Sequence, residues 1–111
     1  MGTPTEVAKV SRIFERLGAE EPVAALSHTH AVYEFDIDDG GRWFVSLDGG
    51  KASVDDQERP PDCVITCSAA QLVAMAQGGE NLMTAFLQGK VKLAGDVALA
   101  LDLRRLLPVA A

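Results

Sequence analysis

The chain has 111 residues, the size of one domain with one hydrophobic core, and its 48% hydrophobic and 23% charged residues exclude a disordered, coiled-coil or low-complexity chain. Sixteen acidic against ten basic residues give a formal charge of −6. A surface of that sign repels nucleic-acid phosphates and weighs against contact with anionic membranes.

No apolar run approaches the roughly 18 residues that cross a bilayer, and MGTPTEVAKVSR lacks the basic-then-apolar order of a signal peptide. The closing Leu107-Pro108-Val109-Ala110-Ala111 is not a Ser-Lys-Leu type of peroxisomal address. The expectation is a cytoplasmic protein folding as a single domain over residues 1–111.

In chain order, Val7, Val10, Ile13, Phe14 and Leu17 recur at helical spacing, with Glu6, Lys9, Arg12, Glu15 and Arg16 on the other side. Thr3 or Thr5 is the expected cap of this amphipathic helix and Gly18 its stop. After Pro22 the period changes to two. Tyr33, Phe35 and Ile37 alternate with Glu34, Asp36 and Asp38, and Trp43, Val45 and Leu47 alternate with Phe44, Ser46 and Asp48. Asp38-Asp39-Gly40-Gly41 and Asp48-Gly49-Gly50 are hairpin-turn chemistry, so Lys51 to Asp55 is a third strand of an antiparallel meander.

Pro60-Pro61 marks Asp56 to Asp62 as a loop, and Cys63 to Cys67 is a fourth strand. Ser68 with Gln71 forms a capping-box pair that starts a helix carrying Leu72, Val73, Met75 and Ala76 to a stop at Gly78-Gly79. Asn81 caps a further helix with Leu82, Met83, Phe86 and Leu87 before Gly89. Val91 and Leu93 alternate with Lys90 and Lys92 in a short fifth strand, and Asp96 caps a last helix that runs to Leu107 and stops at Pro108. This order predicts an α+β domain whose helices cover one face of a mainly antiparallel, five-stranded sheet.

Candidate chemistry is sparse. Gly50-Lys51 and Gly89-Lys90 lack the leading Gly of a phosphate loop, where Val45 and Thr84 stand, and the following Ser or Thr, where Ala52 and Val91 stand. The run from Asp36 resembles a calcium loop until its twelfth position, which is Leu47 instead of Glu. His28 and His30 begin a zinc set without completing it, so no metal and no cofactor is expected. Cys63 and Cys67, about 13 Å apart on a strand at roughly 3.3 Å per residue, are beyond the roughly 7 Å that a disulfide bridges. With no basic neighbour and no nucleophile elbow in the chain, the two thiols read as small buried hydrophobes.

What remains is an apolar surplus over the last three helices. The final one is apolar around most of its circumference, with Asp102, Arg104 and Arg105 as its only charges after Asp96. A filled core, an oligomer interface and a cavity for an apolar ligand all accommodate it, and the close packing of protein interiors favours the first.

The strand GRWFVSLDGGKASV with Trp43 and Gly49, the step DCVITCSAAQLVAMAQGGENLMTAF and the stretch FLQGKVKLAGDVALALDLRRLL together resemble the sterol carrier protein 2, or nonspecific lipid-transfer, family. The resemblance implies a sheet and helices enclosing a hydrophobic tunnel for a sterol, fatty acid or fatty acyl-CoA, without covalent chemistry. The tunnel-facing residues it implies here are Phe35, Val45, Ile65, Leu72, Met75, Met83, Phe86, Leu101 and Leu106. Animal members tend to be basic and often carry a peroxisomal address, so the acidic charge here favours lipid binding or presentation over delivery to anionic membranes. The alternative expectation is an interaction or dimerisation module that uses the apolar C-terminal helix, the chain being a monomer or weak dimer.

Overall fold

The computed structural model describes residues 4–19, 24–38, 41–55 and 57–102. Helix α1 (Pro4–Ala19) begins with proline, whose fixed φ and missing N–H suit the first helical position. Thr5 therefore lies inside the first turn, while Thr3 falls outside the described residues. Val10, Ile13, Phe14 and Leu17 are buried as their spacing predicts. Gly18 does not end the helix: the Lys51 Nζ donates to its carbonyl at 2.6 Å, satisfying one of the terminal acceptors, and the helix continues to Ala19.

A 3-10 turn (Ala24–Leu26) leads into β1 (His30–Asp38), followed by β2 (Gly41–Asp48), β3 (Lys51–Asp55) and β4 (Cys63–Ser68). Then come α2 (Ala69–Ala76), α3 (Leu82–Leu87), β5 (Lys92–Gly95) and α4 (Val97–Asp102). The sheet order is β3-β2-β1-β4-β5, with antiparallel pairs except between β1 and β4, which are parallel. Gly49 and Gly50, at φ 61° and 90°, make the tight turn that sets Asp48 opposite Lys51. Of the other hairpin turn, Asp39 and Gly40 lie outside the described residues.

The parallel pair requires a crossover, and the segment before β4 supplies it. Arg59 donates to Ser46 Oγ at 2.6 Å and to Asp55 Oδ2 at 2.5 Å. Those two residues alternate with the inward-facing Val45 and Val54, so this segment runs over the sheet face opposite the helices. Phe44 belongs to that outer face, and it is only 1% exposed rather than solvated as simple alternation implies. The crossover ends with Asp62 and Val32 exchanging bonds: Asp62 N–H donates to the Val32 carbonyl, and Val32 N–H to Asp62 Oδ2, both at 2.8 Å.

The helix caps follow from local chemistry. Ser68 Oγ accepts from Gln71 N–H at 3.1 Å, Asn81 Oδ1 from Met83 and Thr84 N–H at 2.9 and 3.3 Å, and Asp96 Oδ1 from Ala98 N–H at 3.0 Å. At the end of α3, Gly89 N–H donates to the Phe86 carbonyl and Lys90 N–H to that of Ala85. Residues 89 and 90 are thus occupied in closing the helix, and β5 starts at Lys92 although Val91 is already buried.

Candidate binding site

The inner sheet face and the helices above it form one apolar layer. β1 contributes Ala31, Tyr33, Phe35 and Ile37, β2 contributes Val45 and Leu47, and β4 contributes Cys63, Ile65 and Cys67. From above come α1, the α2 residues Leu72, Val73, Met75 and Ala76, and Ala100 of α4. Phe14 stacks on Trp43 at 4.7 Å between ring centroids and meets Phe35 edge-on at 5.3 Å, closing the layer under α1 with three aromatic rings.

Five of the nine residues expected to line a tunnel, Phe35, Val45, Ile65, Leu72 and Met75, come together in this layer, each no more than 2% exposed. Met83 and Phe86 are half-buried on the flank of α3, which turns Leu82 and Ala85 inward. Leu101 is on the outward side: α4 buries Ala100 completely, so Leu101 and Val97, four residues apart, stand 37% and 41% exposed. Within the chain, the described part of the last helix thus buries one side and leaves Val97 and Leu101 on the other. Leu106, with the rest of the helix predicted to reach Leu107, lies outside the described residues.

Tyr33 was not among the expected lining residues, yet it spans the layer. Its ring is fully buried and its hydroxyl donates to the Leu99 carbonyl of α4 at 2.8 Å. The phenol is held well above its ordinary pKa, first by burial and then by the neighbouring Asp102, Cys63, Asp62 and Asp96. Its inward direction was legible in the alternation of β1, but its partner, 66 residues away, was not.

Both cysteines are free and buried. Burial, with Asp96 and Asp62 nearby, pushes the Cys63 thiol up to about 11, and burial with Asp38 pushes Cys67 up to about 12. Thiols so protonated are poor nucleophiles. His30 opens β1 and its Nδ1 lies 2.7 Å from Asp48 Oδ1, both exposed, whereas His28 sits in the preceding turn. The two histidines thus do not share a strand face, and the described residues contain no group of three His, Cys, Asp or Glu able to hold a metal. On the outer face Arg42 lies 3.0 Å from Asp36, 3.6 Å from Glu58 and 3.8 Å from Glu34. Lost hydration, then the hydrogen bond with Asp36, raises the Glu34 carboxyl above its ordinary range.

A mixed sheet, mostly antiparallel, with its helices on one face over a single apolar layer defines a class of small α+β domains. The chain belongs to the SCP-2 sterol transfer family, whose model matches residues 11–108. It is 37% identical over 81 residues to sterol carrier protein 2 of Rattus norvegicus, covering 68% of this chain and 15% of that protein. It is 34% identical over 105 residues to hydroxysteroid dehydrogenase-like protein 2 of Rattus norvegicus, covering 91% of this chain and 20% of that protein. The chain thus spans one fifth or less of the length of these relatives. The solution structure of palmitated SCP2L2 from Aedes aegypti superposes with a TM-score of 0.64 at 25% identity, covering 93% of this chain and 92% of that one. Among the described residues no helix is long and apolar enough to cross a membrane.

Proposed function

We propose that the chain binds an apolar lipid without covalent chemistry, in the layer between the inner sheet face and helices α2 to α4. Phe35, Val45, Ile65, Leu72 and Met75 are its floor and roof, and Met83, Phe86 and Leu101 line the approach. The observation that carries this reading is a layer whose core side chains are apolar apart from one hydroxyl and two thiols, in a member of a sterol transfer family. The palmitated Aedes relative supports an acyl chain as one occupant, with sterols and acyl-CoA as the other classes. Affinity comes from apolar area withdrawn from water, at about 25 cal/mol per Å² before ordering costs. Because the layer is filled by buried side chains, a ligand enters as a covering helix gives way, and the short α3 is the element free to do so while α4 stays tied to Tyr33. Native mass spectrometry of the purified protein, with displacement of a fluorescent fatty acid, tests the reading. Lipid adducts and displacement at micromolar concentration are expected; if no lipid co-purifies and none displaces the probe, the reading fails.

A second reading, an interaction or dimerisation module, is favoured by the exposure of Leu87 at 80% together with Val97 and Leu101. In that case Leu87→Asp abolishes self-association in sedimentation velocity and leaves lipid displacement untouched. A chain that stays monomeric at millimolar concentration removes the dimer version.

A further inference from the structure

Tyr33 lies in the middle of β1, paired with Val45 of β2 and Cys63 of β4, and crosses the layer to the backbone of α4. A lipid lodged between β1 and α4 must lie alongside this ring and its oxygen. A phenol has one proton to donate and lone pairs with which to accept. Here the proton is engaged by the Leu99 carbonyl at 2.8 Å, so the oxygen is available as an acceptor and not as a donor. An alcohol can supply the O–H it lacks. An ionised carboxylate, which only accepts, cannot.

The surroundings work in the same direction. Asp62 is fixed at this end of the layer by its paired bonds with Val32, and Asp96 N–H donates to the Asp62 carbonyl at 2.9 Å while the Asp96 side chain caps α4. Asp102 stands on the last described turn of α4. Burial comes first in raising the Tyr33 phenol, followed by Asp102, Cys63, Asp62 and Asp96, and such surroundings disfavour a further negative charge beside it. A fatty-acid headgroup at the Tyr33 hydroxyl would meet like charges and a phenol proton already engaged by the Leu99 carbonyl.

We infer that the Tyr33 hydroxyl is the polar recognition point of the lipid site and selects ligands with a neutral hydroxyl headgroup over carboxylate anions of the same chain length. The inference rests on the lipid-binding reading above. Its test is displacement of a neutral fluorescent probe, Nile red, by dodecan-1-ol and by dodecanoate at pH 8. Wild-type protein should favour the alcohol by roughly fivefold or more, the worth of one hydrogen bond. Tyr33→Phe should lose about that factor for the alcohol and leave dodecanoate within twofold. Asp102→Asn, a half-buried position of matched volume, should strengthen dodecanoate selectively and serves if Tyr33→Phe does not fold. Equal or tighter binding of dodecanoate by the wild type, or an equal loss of both ligands in Tyr33→Phe, overturns the selectivity and leaves lipid binding standing. Failure to bind the probe or either ligand overturns both.

Discussion

Gly95 closes β5 opposite Cys63 at φ +87°, and a Cβ there would stand 2.5 Å from the Asp62 carbonyl oxygen, 3.2 Å from its carbon and 3.3 Å from the Cys63 Cα. All three are backbone atoms, so no side chain can swing aside. Gly89, at the end of α3, has nearly the same φ of +77° but nothing within 4 Å of its Cβ position. Gly89→Ala therefore incurs only the left-handed backbone penalty, about 1–2 kcal/mol. Gly95→Ala adds separation of β5 from the start of β4 and loss of the 2.9 Å bond from Asp96 N–H to the Asp62 carbonyl. A lost hydrogen bond with a stranded acceptor costs about 1–3 kcal/mol, which brings the total to about 2–5 kcal/mol. Urea denaturation of the two variants beside wild type measures the difference, and in thermal unfolding, near 4 °C per kcal/mol, the Gly95→Ala Tm falls by about 8–20 °C. Equal losses for the two variants would refute the close-approach argument. Since Asp96 also caps α4, weakened lipid displacement should accompany the Gly95→Ala loss and not the Gly89→Ala loss.

Leu72→Ala, deep in the layer at 1% exposure, should cost about 2–5 kcal/mol in the same assay. Asn81→Ala removes both side-chain bonds that start α3 and should cost about 1 kcal/mol, with loss of amide protection at Met83 and Thr84 by hydrogen exchange. The thiols set an alkaline limit. Their ordinary pKa of 9.0 is raised to about 11 at Cys63 and about 12 at Cys67, so the unfolded chain ionises first. Stability should be insensitive to these groups below pH 9 and fall between 9 and 11–12, by on the order of 1 kcal/mol per pH unit for each thiol. Correspondingly, thiol reagent at pH 8 should label native protein slowly and the unfolded chain quickly.

Much of this architecture is written locally. The alternation in Tyr33-Phe35-Ile37 assigns a face, Gly49-Gly50 specifies a turn, and Ser68, Asn81 and Asp96 start helices through bonds spanning two or three residues. Each rests on backbone geometry that neighbours in the chain control, which is why element order and the buried positions Phe35, Val45, Ile65, Leu72 and Met75 could be read without coordinates. The resemblance in the stretches around Trp43 and Gly95-Asp96 supplied the family that the match over residues 11–108 shows. Other features depend on segments distant in sequence. The parallel pairing of β1 with β4 exists because the segment bearing Arg59 crosses the outer face, and that same face hides Phe44. The outward turn of Leu101 follows from Ala100 occupying the space over the sheet, a packing choice that a helix apolar on nearly all sides leaves open. The Tyr33 hydroxyl found its acceptor 66 residues away, on a helix whose position only the assembled layer determines. Periodicity specifies which way a side chain points, and tertiary packing alone decides what it meets there.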